Sequence, residues 1–164
     1  MPFTIPDNLH PDLMPVAFLL GQWHGNGHGD YPTIEAFEFG QEVGFTHDGR
    51  PFLHYLSRTW LVDDEGTPGR PLAIETGFLR PRPDNEVEFL LTHQSGFAEI
   101  YYGTVEGARL TLTTDAVVRT ASAKEYVAGH RLYGLVEGDL LWTFDMAAMG
   151  QPLQPHTWAR LQRT

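Results

Sequence analysis

From Gly21 to the C-terminus, apolar and polar residues alternate in short runs. The stretch IEAFEFGQEVGFTH (34–47) places Phe37, Phe39, Val43 and Phe45 on one parity. A period of two is the mark of a strand with one buried face. PFLHYLSRTWLV, AIETGFLRP, EVEFLLTH, FAEIYYGTV, RLTLTTDAV, KEYVAGHRLYGLV, LLWTFDMAAM and LQPHTWARLQR follow with the same texture. Between them lie turn residues: Asp48-Gly49, Glu65-Gly66, Pro83-Asp84-Asn85, Glu106-Gly107 and Glu137-Gly138-Asp139. Each pairs a residue tolerant of positive φ with strand-like flanks, as hairpins require. PDLMPVAFLL (11–20) predicts one short helix or helical turn before the strands begin.

The first strand is unusual. GQWHGNGHGDYPTI (21–34) removes a side chain at Gly21, Gly25, Gly27 and Gly29. On a strand, Trp23 and these glycines share one face, while Gln22, His24, Asn26, His28 and Asp30 share the other. Glycines in register mark a bend, a bulge or the close approach of something flat. Aromatic side chains filling a barrel corner and a ligand lying against the wall both satisfy that pattern.

Roughly ten strands in short hairpins predict an all-β, up-and-down antiparallel barrel, because closure removes the exposed edges of a meander. A barrel of that size encloses more space than its own side chains readily fill, which predicts a small-molecule cavity. No repeat or linker divides residues 1–164, so the chain reads as one domain.

Composition narrows the chemistry. Lys124 is the sole lysine, and the formal net charge is −10 over 164 residues. That balance argues against nucleic acid and anionic membrane as partners. The chain has no cysteine, which removes disulfides, zinc–thiolate sites, iron–sulfur clusters and thiol catalysis together. The N-terminal apolar run is short and follows Asp7 and Asp12, unlike a signal peptide, so a cytoplasmic location is expected.

Eight histidines are the main candidates for chemistry. His24 and His28, four apart, share a strand face and read as a solvated pair more readily than as metal ligands. His54 and His93 lie inside apolar strands and read as satisfied, partly buried side chains. His156 opens the last strand, after Pro155 and close behind Met146 and Met149. A lone imidazole among aromatics and methionines has the composition of a haem pocket, where neutral nitrogen supplies the axial bond; a core histidine is the plainer reading of the same spacing.

Taken together, GQWHGNGHGDYPTI and MGQPLQPH resemble the nitrobindin family, also described as haem-binding β-barrel or peroxynitrite isomerase proteins and related in shape to fatty-acid-binding proteins. The family's G-x-W-x-G-x-G is met by Gly21, Trp23, Gly25 and Gly27, and Tyr31-Pro32-Thr33 continues the match. ETGFLRP (75–81) and SAKE (122–125) fall where family members carry similar segments. The resemblance implies one haem b per chain, with His156 as its axial ligand and catalytic lever. It places Thr33 and Met146 beside the haem. Lys124 is a further candidate, able to pair a propionate. The implied reaction turns peroxynitrite into nitrate, and the implied site also binds nitric oxide. Some members carry methionine and histidine where this chain has Leu72 and Ala73. Strand alternation puts His156 and Trp158 on one face, setting Trp158 either against the haem or in its place. The rival reading is a non-enzymatic carrier of a fatty acid or other apolar molecule, with Arg131 or Arg160 as partner for its carboxylate. Barrel walls can also pair, which leaves a homodimer open without marking its face.

Overall fold

The computed structural model describes residues 2–164. Ten strands close into one antiparallel barrel: β1 (Gly21–Tyr31), β2 (Ile34–Thr46), β3 (Leu53–Val62), β4 (Pro68–Arg82), β5 (Glu86–His93), β6 (Phe97–Glu106), β7 (Arg109–Arg119), β8 (Tyr126–Val136), β9 (Asp139–Ala148) and β10 (Gln154–Arg163). Every strand pairs with its neighbours in sequence, and β1 pairs with β10 to complete the ring. The turn residues behave as their chemistry requires. Gly49, Gly66, Gly107 and Gly138 all adopt positive φ, as do Asp84 and Asn85 between β4 and β5.

The connections alternate between the two ends of the barrel. One end is stoppered by the segment Pro11–Leu19, a 3-10 helix in which Pro15 lacks the N–H that a regular α-helix needs. Its Leu13, Val16 and Leu19 are fully buried. Trp23 fastens this plug: its Nε1–H donates to the Leu19 carbonyl at 2.8 Å, and the Arg163 guanidinium lies 4.2 Å from its ring centroid. Phe45, Leu53, Leu79, Phe89, Leu110 and Leu161 continue the apolar core above it. Among the described residues, no helix is long and apolar enough to cross a membrane.

Aromatic rings lie on two of the β1 glycines. Gly27 stands opposite Phe39 and Gly29 opposite Phe37 on β2. A Cβ on Gly27 would come 2.3 Å from the Phe39 ring, and one on Gly29 would come 2.2 Å from the Phe37 ring. At Gly25 the obstacle is backbone, the Arg160 carbonyl at 2.3 Å. The missing side chains therefore let two phenylalanines fold flat over the first strand. Those rings then form one wall of a cavity at the end away from the plug.

Candidate functional site

The cavity holds about 240 Å³. Its apolar wall is Phe37, Phe39, Trp142 and Phe144, with Leu72 and Ala73 at β4. Gln41, Ser57, Thr59, Glu75, His93 and Arg131 form the polar wall, and His156 and Thr157 come from β10. The ladder between β3 and β4 shifts register twice in this region, between Arg58 and Trp60 and between Trp60 and Val62. A hollow of about 750 Å³ at the plugged end is larger, but it is lined by the N-terminal segment and the turns at that end, remote from His156.

His156 owes its direction to a bulge. Pro155 stands opposite Asp145 and Thr157 opposite Phe144, so His156 is the extra residue in β10. Both His156 and Thr157 therefore face the cavity. Beyond the bulge, alternation resumes with Ala159 and Leu161 inward and Trp158 outward. This corrects the expectation that Trp158 shares a face with His156. Trp158 is 41% exposed and leans on the His28 ring at 4.8 Å on the outside of the barrel. It neither touches nor blocks the cavity.

The His156 ring is half-buried among three aromatic rings: Tyr31 at 5.3 Å, Phe144 at 5.9 Å and Phe37 at 6.5 Å between centroids. Burial holds its pKa below the ordinary histidine range, against the opposing pull of the Asp30 carbonyl. The neutral ring donates from Nδ1 to that carbonyl at 3.1 Å. Its proton is then on Nδ1, and the lone pair is on Nε2. Tyr31 steadies the same corner, since its hydroxyl donates to the Met146 carbonyl at 2.9 Å and accepts from the Ala148 N–H at 3.0 Å. A neutral, oriented imidazole with a free Nε2 is the donor state that a metal centre takes.

The other expected site residues are spread around this end. Met146 packs against the buried cluster of Tyr31, Tyr126 and Ala148, as Phe144 does. Thr33 is exposed at the tip of the β1–β2 hairpin, and Lys124 is exposed in the β7–β8 connection at the same end. Trp23 and Gly21 lie at the far end of β1, where they serve the plug. His28 meets Glu38 at 2.5 Å outside the barrel, and His54 meets Thr76 at 2.9 Å.

Sequence reasoning passed over a buried ionic cluster on the polar wall. His93 is clamped between two carboxylates, with Nδ1 3.2 Å from Glu75 and Nε2 2.5 Å from Glu99. Arg131 reaches Glu75 at 2.6 Å and Glu99 at 3.8 Å. Burial alone would lower the His93 pKa, but the hydrogen bonds it donates to the two carboxylates outweigh burial and raise it to about 9. Burial likewise opposes the charge on Glu75, and Arg131 with His93 outweighs it, holding the carboxyl well below its ordinary range. His93 is the satisfied, partly buried side chain expected of it, but in a setting the sequence reading did not foresee. The missed signal is parity: Glu75 shares a face with Leu79, and Glu99 shares one with Tyr101. The arginines of the carrier reading are both taken, Arg131 by Glu75 and Arg160 by Asp139 at 2.6 Å on the outer surface.

Fold and site together define a class: a closed up-and-down barrel that turns one neutral histidine into an aromatic-lined cavity. Residues 12–163 match the family model described as the THAP4-like, heme-binding beta-barrel domain. A Nocardioides protein named peroxynitrite isomerase is 68% identical over 99% of both chains. A Cutibacterium acnes protein named ferric nitrobindin-like protein is 51% identical over the whole of both chains. The crystal structure of Rv2717c from M. tuberculosis superposes with a TM-score of 0.86 at 42% identity, covering 95% of this chain and 99% of that one. This chain belongs to the THAP4-like heme-binding β-barrel family.

Proposed function

We propose that this chain is a haem-dependent peroxynitrite isomerase whose iron is held by Nε2 of His156. The observation that carries the reading is the state of that imidazole, neutral, tied through Nδ1 to the Asp30 carbonyl and ringed by Tyr31, Phe37 and Phe144. The names of the Nocardioides and Cutibacterium relatives support it. The cavity, about 240 Å³, is below the ~300 Å³ at which small-molecule pockets begin, so it would enclose only part of a haem b macrocycle. Thr33 and Lys124, on the rim loops, are the candidates to meet the remainder, with Lys124 as cation for a propionate. Met146 would pack at its edge.

When held by His156, ferric haem would supply the iron chemistry that turns peroxynitrite into nitrate with no net redox change. The chain's own work is positioning and exclusion. The Nδ1–H bond to Asp30 fixes the ring and makes Nε2 the better donor. Phe37, Phe39, Trp142 and Phe144 keep one wall free of water. The excess negative charge disfavours anions at long range, so peroxynitrous acid and nitric oxide suit this molecule better than the peroxynitrite anion. For a carrier of carboxylated lipids, the interior cations among the described residues are already paired, Arg131 with Glu75 and His93 with Glu75 and Glu99.

The test is stopped-flow decay of peroxynitrite. Haem-loaded protein accelerates decay in proportion to its concentration and raises the nitrate yield, whereas His156→Ala carrying the same haemin does so far less. Equal acceleration by both would overturn the assignment of His156.

A further inference from the structure

Six tyrosines are present in the chain, and four of them meet inside the barrel around the ionic cluster of the cavity's polar wall, to which the proposed isomerase reaction gives no role. Tyr55 donates to Oε1 of Glu75 at 2.6 Å, and Tyr126 donates to Oε1 of Glu99 at 2.6 Å. The Tyr101 and Tyr126 hydroxyls are 3.3 Å apart, and Arg131 donates to Tyr101 at 3.1 Å and to Tyr133 at 3.3 Å. His93 joins the two carboxylates. Glu99 and Tyr126 are 3% and 5% exposed. Among the described residues, no buried side-chain nitrogen or oxygen lacks a partner.

Stability alone does not call for this arrangement, since apolar side chains of similar volume often replace a buried ionic network at no cost. Its chemistry is more particular. Two phenols each give a short hydrogen bond to a carboxylate, and the carboxylates are held ionised by His93 and Arg131. Burial, with Tyr101 and Glu99 beside it, pushes the Tyr126 phenol far above its ordinary range, so it does not ionise on its own. Such a phenol loses an electron only if its proton has somewhere to go, and here the acceptor is already in contact.

We propose that the Tyr126–Glu99 pair, with Tyr101 behind it, is an internal one-electron donor that quenches nitrogen dioxide escaping from reaction in the cavity. Tyr126 gives one electron to nitrogen dioxide, which becomes nitrite. Its phenolic proton crosses to Oε1 of Glu99. A neutral tyrosyl radical then stands beside a neutral carboxylic acid, and no bond to carbon has formed or broken. Phe144 bridges this pair to the cavity, with ring centroids 6.2 Å from Tyr126 and 5.9 Å from His156. The chain has no cysteine to take over the radical, so a small reductant of the ascorbate or thiol class returns the electron, and Glu99 gives the phenolic proton back to Tyr126. The inference rests on the proposed isomerase only for the origin of the nitrogen dioxide.

The test therefore uses neither haem nor peroxynitrite. Nitrogen dioxide is generated by pulse radiolysis of nitrate in the presence of the haem-free full chain, and tyrosyl radical is followed by its absorption and by freeze-quench electron paramagnetic resonance. The expected result is a radical that Tyr126→Phe largely abolishes, that Glu99→Gln suppresses although every tyrosine remains, and that forms more slowly in deuterium oxide. Circular dichroism checks the fold of each variant; if Glu99→Gln unfolds, Tyr126→Phe and the solvent isotope effect decide. A radical unchanged in Tyr126→Phe, or one lost only in Tyr102→Phe at the half-exposed Tyr102, would overturn the proposal and leave the cluster as polar packing.

Discussion

At the scale of the residue, His156 and the glycines of β1 work toward the same wall. His156 needs neighbours that are flat, apolar and close, and Phe37 is one of them. Phe37 and Phe39 reach their places only because Gly29 and Gly27 leave the space open. Gly27 is the stricter of the two, since a Cβ there would also come 2.6 Å from the Trp158 carbonyl. Gly27→Ala is expected to destabilise the barrel by about 1–3 kcal/mol, the usual cost of overpacking. Urea denaturation reads this as a lower midpoint with an unchanged slope. At Gly29 the nearest obstacle to a Cβ is the Phe37 ring, a side chain that can move, so Gly29→Ala should cost less stability and instead push that ring toward the cavity.

At the scale of the element, the bulge in β10 decides what the site contains. A regular strand would turn His156 and Trp158 to the same side; one extra residue separates them. Trp158→Ala should leave haemin affinity and stoichiometry unchanged, because the side chain leans on His28 outside the barrel. A spectrophotometric titration of the variant beside the parent checks this, and a weakened complex would place Trp158 in the site after all. The strands themselves were legible in the sequence, because a period of two and Asp-Gly or Glu-Gly turns are local signals. So was the shared face of Trp23, Gly25, Gly27 and Gly29. The bulge was not, because it arises from a mismatch between β9 and β10 that neither strand carries alone. Nor was the identity of the flat object on the glycines: register across β1 and β2 brings Phe37 and Phe39 there, and register is a property of the pair.

At the scale of the whole molecule, the barrel separates its stability from its chemistry along its axis. The plugged end is apolar and held by Trp23 and Arg163. The other end carries His156 and, beside it, charges that apolar packing would not tolerate unpaired. Glu75, Glu99 and Arg131 were hidden from a reading of single strands, since they come from β4, β6 and β8 and make sense only once these meet inside the barrel. Their titration shapes the pH profile of the fold. His93 is raised from 6.5 to about 9, so its contribution is full below 6.5 and is lost as pH climbs through 9. That loss is on the order of 3 kcal/mol for a shift of this size. Glu75 and Glu99 are depressed below 4.5, so their contribution is present above that value and is lost as pH falls through their folded pKa values. Thermal melts across pH should show a plateau between, and His93→Gln should flatten the alkaline limb and also shrink the acid limb, since His93 helps to hold both carboxylates ionised. An alkaline limb unchanged in that variant would assign the titration to another group.

The central claim is that Nε2 of His156 holds an iron porphyrin in this barrel, and haemin titration of the purified chain, followed through the Soret band, tests it most directly. The account predicts a saturable shift that ends at one haemin per chain, and its loss or displacement in His156→Ala with the barrel still folded. A parent that binds no haemin specifically, or a variant with the same spectrum and affinity as the parent, would contradict it.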